Sequence, residues 1–177
     1  ITEFLAEHYR DDSGRIRLDL CIALRNVAEM LTPIDPEQAL ALYRRSLDVN
    51  TELTDASPHN LSLRHGLASS LNDIATLLSG TDPEQALGYY QRALGILREL
   101  AAAQPGNLQA AHDLAAALSN VTILLEHTDP EQALSLSKEC LGLRRAAVAA
   151  HPGNIRAARD LAIALVQLGG ITALSDP

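Results

Sequence analysis

The chain has 177 residues, with 14 basic against 22 acidic side chains and a net charge of −8 at pH 7; its apolar fraction of 47% is high enough to build a packed core. That balance argues against nucleic acid as a partner, because phosphates demand clustered Lys and Arg. Aromatic residues make up 3% of the chain and no stretch approaches the roughly 18 uninterrupted apolar residues of a membrane span, so an all-α protein with a Leu- and Ala-rich core and no membrane role is expected. Cys21 and Cys140 both fall in helical apolar patterns and are too few for a crosslinked secreted domain; buried, reduced thiols in a cytoplasmic protein are expected.

Residues 1–33 begin Ile-Thr-Glu-Phe, without Met and already in helical register, and read as the later part of a repeat unit with about one extra residue near Asp11–Gly14. Three full units follow, residues 34–80, 81–127 and 128–174. Each opens on the hexapeptide Asp-Pro-Glu-Gln-Ala-Leu, at Asp35–Leu40, Asp82–Leu87 and Asp129–Leu134, a period of 47 residues. A second marker keeps the same period: Pro58-His59-Asn60, Pro105-Gly106-Asn107 and Pro152-Gly153-Asn154. The closing Ser175-Asp176-Pro177 opens a further unit, so the array is expected to belong to a longer chain.

Each unit carries two helical segments. The first starts at the hexapeptide, where Asp caps free N–H groups, Pro fits the first turn and Glu complements the helix dipole. In the middle unit Ala86, Leu87, Tyr90, Ala93, Leu94, Leu97, Leu100 and Ala101 recur at steps of three and four and define one apolar face. That helix must stop before Pro105, and Asn107 caps the second, whose apolar positions are Leu108, Ala111, Leu114, Ala115, Leu118, Val121, Leu124 and Leu125. Two helices joined by a short turn pack antiparallel, and the surface they leave uncovered is closed by the next pair, which gives a solenoid of about eight helices over the chain.

These residues resemble the tetratricopeptide repeat (TPR). The first-helix pattern of that family is matched by Leu71, Ile74, Ala75 and Leu78, by Leu118, Val121, Thr122 and Leu125, and at the ends by Leu24, Val27, Ala28, Leu31 and Leu165, Leu168, Gly169, Thr172. The second-helix pattern is matched by Ala39-Tyr43-Ser46, Ala86-Tyr90-Ala93 and Ala133-Ser137-Cys140. Small residues recur there because helices approach closely only where side chains are short. A TPR unit is usually about 34 residues; here the second helix is extended and the following Pro is displaced to Pro58, Pro105 and Pro152. The wording Leu-Ala-Ala-Ala-Gln-Pro-Gly-Asn at 100–107 is similar to repeats attached to bacterial signalling proteins with NTPase, kinase or protease domains, and thirteen Arg against one Lys fit a GC-rich bacterial genome. The resemblance implies a right-handed α-α superhelix that holds peptides on its concave face. Carried onto this chain, that face includes Arg25, Asn72, Ser119 and Val166 in one row and Glu29, Thr76, Ile123 and Gly170 in the next. Arg25 is the one basic residue there, which disfavours the chaperone-tail kind of carboxylate clamp.

Catalytic and metal signals are weak. The six histidines, His8, His59, His65, His112, His127 and His151, form no His-x-x-x-His pair, no Cys-x-x-Cys is present, and no nucleophile elbow or phosphate loop occurs. No cofactor or metal is expected, and His65 and His112, at equivalent positions, read as surface or packing residues. Asp19, Asp113 and Asp160 share a register and are expected to make local ion pairs with Arg rather than a row for a basic partner. Arg44-Arg45 and Arg144-Arg145 read as solvated edges rather than anion sites. Gly95 and Gly142, in mid-helix at a cost of about 1 kcal/mol each relative to Ala, are expected where helices approach closely. The leading expectation is a non-enzymatic scaffold for a protein or peptide; the others are a sensor arm of an effector domain outside residues 1–177 and self-association through exposed end units.

Overall fold

The computed structural model describes the backbone of residues 2–175 and the side chains of residues 14–173. Asp176 and Pro177, expected to open a further unit, and the side chain of His8 lie outside the described residues. Seven helices and no strand are present among the described residues: α1 (Thr2–Leu31), α2 (Pro36–Ala56), α3 (Leu61–Leu78), α4 (Pro83–Ala103), α5 (Leu108–Leu125), α6 (Pro130–Ala150) and α7 (Ile155–Ser175). The expected count of eight is corrected because α1 is a single helix of 30 residues. Later units break the helix with Pro-x-Asn, whereas Asp11-Asp12-Ser13 occupies that place in the first and carries no Pro to remove an N–H.

From α2 onward the period is strict, and its cause is local. Asp35, Asp82 and Asp129 each accept a hydrogen bond from the amide of the Gln three residues on, at 3.0 Å in all three copies, with Pro in the first turn. Asn60 and Asn107 each cap two amides of the following helix, and Asn154 caps Ala157. Gly106 adopts φ +86°, which a side chain would strain. Each connection is four residues long, so successive helices run antiparallel, and every substantial helix–helix contact joins neighbours in chain order. That pattern is an open stack of helical repeats rather than a closed bundle.

The core follows the repeated small and branched positions. Leu71, Ile74, Ala75 and Leu78 are buried, as are Leu118, Val121, Thr122 and Leu125, and so is every member of the three second-helix sets Ala39-Tyr43-Ser46, Ala86-Tyr90-Ala93 and Ala133-Ser137-Cys140. At the two ends the same positions lack a neighbour: Val27 is 48% exposed where its equivalent Ile74 is 0%, and Leu165 is 46% exposed where Leu118 is 0%. Both thiols are buried, which pushes their ionisation up, and Cys140 lies 3.3 Å from the carbonyl of Ala115.

One position between the helix pairs changes character from unit to unit. Between α2 and α3 it is polar: buried Asn50 donates to Ser70 at 2.8 Å, and Ser46 lies 3.4 Å from the same hydroxyl. Between α4 and α5 the place of Asn50 is taken by buried Leu97, and between α6 and α7 by Arg144, paired with Asp160. Asn50 fits because Gly66 has no Cβ; one added there would stand 3.0 Å from Asn50 Oδ1. Gly95 and Gly142 differ, with nothing within 4 Å of an added Cβ, so close helix approach does not account for them. Gly95→Ala should therefore raise stability by about 0.5–1 kcal/mol, while Gly66→Ala should lower it. Thermal melts of the two variants check this, and a gain at both positions would contradict the packing around Asn50.

Candidate binding face

The odd-numbered helices α1, α3, α5 and α7 present a common register, and side chains link them in two parallel ladders. In the first, a residue of one unit meets the residue 48 positions on. Arg25 Nε donates to Asp73 Oδ2 at 2.5 Å, Asn120 Nδ2 donates to Asn72 Oδ1 at 3.3 Å, and Ser119 Oγ donates to Gln167 Oε1 at 2.6 Å. In the second, His65 Nε2 lies 2.7 Å from Asp113 Oδ2 and His112 Nδ1 lies 3.4 Å from Asp160 Oδ2.

Three of the six residues expected to line a binding face, Arg25, Asn72 and Ser119, thus belong to the first ladder and are half-buried. Thr76 is exposed but turned along its own helix and toward α4, donating to the carbonyl of Asn72 at 2.9 Å and lying 3.1 Å from the Tyr90 hydroxyl. Glu29 and Ile123 are exposed; Ile123 keeps 53% of its surface in solvent, and Val166, in the row of Arg25, keeps 75%. The rows are therefore partly fasteners and partly open surface, with an aliphatic patch at the α5–α7 end and charge at the α1–α3 end.

The second ladder was not anticipated. His65 and His112 are inter-repeat partners of carboxylates, and the expected Arg pairing of the acidic row holds for Asp160 with Arg144 but not for Asp113, which is held by His65 and by Gln109 at 2.8 Å. Burial acts to raise the Asp113 carboxyl, but the hydrogen bonds from His65 and Gln109 outweigh it and hold it below the usual carboxylate range. Asp73 goes the other way, because burial outweighs its hydrogen bond from Arg25. Arg44 reaches Gln85 at 3.4 Å, and Arg98 grips Glu139 with two bonds of 3.1 and 2.7 Å on the opposite row of helices.

The two histidines have opposite linkage. The hydrogen bond to Asp113 raises the His65 pKa, so its stabilisation is complete below the ordinary histidine value and is lost as pH climbs through the raised one. Burial, then Arg144 and Arg156, lower that of His112; its contribution is complete above the ordinary value and is lost as pH falls through the lowered one. On moving from about pH 8 to about pH 5.5, the melting-temperature gap between the parent protein and His65→Gln should widen and that for His112→Gln should narrow. Parallel changes in the two gaps would contradict the ladder.

An all-helical repeat solenoid is thus the class of protein that the period, the caps and the packing of each helix mainly on its neighbours in the chain define. No protein-family model matches the chain, and no curated protein does. Among solved structures the chain is similar to the yeast histone chaperone Hif1, a scaffold protein recruiting protein complexes to core histones, at 17% identity and a TM-score of 0.55 over 74% of this chain. The chain spans 55% of that protein. It is also similar to the de novo designed helical repeat protein DHR64, at 19% identity and a TM-score of 0.40 over 97% of this chain and 86% of the other. No described helix is long and apolar enough to cross a membrane.

Proposed function

We propose that the chain is a non-catalytic scaffold of the TPR kind, a right-handed superhelix whose odd-numbered helices form a concave groove for an extended peptide or a segment of a partner protein. The observation that carries this reading is the combination of ladders and open apolar surface on one face. Arg25, Asn72 and Ser119 tie neighbouring helices together, while Val166 in the same row and Ile123 in the next stay exposed. A surface held rigid in advance loses less entropy on binding than a flexible one, and aliphatic side chains standing in solvent supply the area to be buried. The similar yeast scaffold lends the general role alone.

The test uses a displayed random-peptide library. Selected peptides should shift the backbone resonances of Glu29, Thr76, Ile123 and Val166, and Ile123→Arg with Val166→Arg should abolish binding with the melting temperature nearly unchanged, since both side chains are exposed. Selected peptides that map to the even-numbered helices, or that bind the double variant equally well, would refute it. Self-association is the second reading, favoured by the exposed Val27 and Leu165 on the two end helices. Light scattering across a concentration series checks it, and a monomer throughout removes it.

A further inference from the structure

Two cavities in this protein are the same cavity one repeat apart, and they differ in charge. The first lies among α3, α4 and α5 and includes His65, Gln109 and Asp113 in its lining. The second, of about 130 Å³, lies among α5, α6 and α7 and includes His112, Arg144, Arg156 and Asp160. Moving by one period of 47 residues, His65 becomes His112, Gln109 becomes Arg156, Asp113 becomes Asp160 and Leu97 becomes Arg144. In the lining of the second cavity Arg156 thus replaces a carboxamide and Arg144 is added, its counterpart Leu97 not lining the first, while each cavity keeps one carboxylate.

The contacts of His112 show what that surplus does. Arg144 Nη1 stands 2.7 Å from its Nδ1 and Arg156 Nη2 stands 3.1 Å from its Nε2. A neutral imidazole accepts at one nitrogen and carries a proton on the other, so one of these contacts sets donor against donor. The single carboxylate is already committed: Asp160 Oδ2 is 3.0 Å from Arg144 and 3.4 Å from His112 Nδ1. Among the described residues no carboxylate lies within 4 Å of the Arg156 guanidinium. The first turn of α7 borders the same cavity through Asn154, Arg156 and Ala157; Asn154 Oδ1 already accepts from the Ala157 amide at 3.1 Å, and the Ile155 and Arg156 amides, at the start of the helix, have no acceptor within it.

We propose that the cavity among α5, α6 and α7 binds a compact oxyanion, a phosphoryl or carboxylate group, between the Arg156 guanidinium, the His112 Nε2–H and the N-terminal turn of α7. The anion accepts from both donors that now face each other and supplies the missing negative charge, while Arg144 and Asp160 remain paired beneath it. Protonation of His112, which burial and then the two guanidinium groups oppose in the free protein, becomes more favourable once the anion is bound. None of Glu29, Thr76, Ile123 and Val166, the residues that report on peptide binding, lines this cavity, so the peptide experiments and this one succeed or fail separately.

The two histidines provide the test in one sample. Inorganic phosphate and acetate are titrated separately into the isotopically labelled protein at constant ionic strength, and the ring Cε1–H resonances of His65 and His112 are followed. A saturable shift at His112 with a Kd on the order of 1 mM for the better probe is expected, with an upward move of the His112 pKa and little change at His65. Tighter phosphate assigns a phosphoryl ligand and tighter acetate a carboxylate. Arg156→Gln, a change at an exposed side chain, should weaken binding about tenfold with the fold intact. In His112→Gln the backbone amides of residues 155–157 report the loss. Absence of saturation with both probes, equal shifts at the two histidines, or full binding by Arg156→Gln would overturn the proposal.

Discussion

Leu118→Ala should cost about 2–5 kcal/mol of stability. Leu118 is completely buried on α5, within the same core cluster as Leu114, Val121 and Leu125 and the α4 residues Tyr90 and Leu94. Truncation removes its transfer free energy and opens a cavity that two rigid neighbouring helices cannot close. The internal comparison is Leu165→Ala, the identical chemical change at the equivalent position of α7. Leu165 is half in solvent because no helix of the described chain covers it, and its truncation should cost less than about 1 kcal/mol. Urea denaturation of both variants with an unchanged slope would compare them directly. Equal midpoints would mean that the helical register of α5 is wrong.

The second large effect is expected at Asp160. Its carboxylate is 3.0 Å from Arg144, each side chain being 11% exposed, and it also lies 3.4 Å from His112 Nδ1. Asp160→Ala leaves Arg144 buried beside an imidazole and a second guanidinium, and breaking such a pair from one side costs about 3–5 kcal/mol. The middle unit shows how the same place is filled without charge, because Leu97 stands there buried. Adding Arg144→Leu to Asp160→Ala should therefore restore most of the loss. A double-mutant cycle measures the coupling, and strictly additive losses would show that the two groups do not act as a pair.

What was legible in the sequence is what is local or repeated in place. The Asp and Asn caps, the turns at Pro58, Pro105 and Pro152, and the buried faces of α4 and α5 all follow from residues a few positions apart. The continuity of α1 was not legible, because Asp11-Asp12-Ser13 sits where later units turn yet contains nothing that forbids a helix. The ladders were hidden for a different reason. Aligning units at a period of 47 places equivalent residues in one column, whereas stacked helices touch 48 residues apart, one column over. His65 and Asp113 therefore look unrelated until the helices are placed side by side. The inter-repeat hydrogen bonds of Arg25, Asn72 and Ser119 were hidden for the same reason, since a polar residue on the outward row looks free when the adjacent column is not considered.

The unlike occupants of the place between helix pairs bear on how near-identical units avoid confusion. Three copies of one hexapeptide invite an exchange in which a unit of one molecule docks where another belongs. Such a swap would set Asn50 against α5, where Ala117 stands in place of the Ser70 hydroxyl, or Arg144 against Gly66, where there is no Asp160. Each wrong assembly strands a polar or charged group away from water. Asn50, Leu97 and Arg144 thus act as ordinal numbers, telling otherwise interchangeable modules which one comes next.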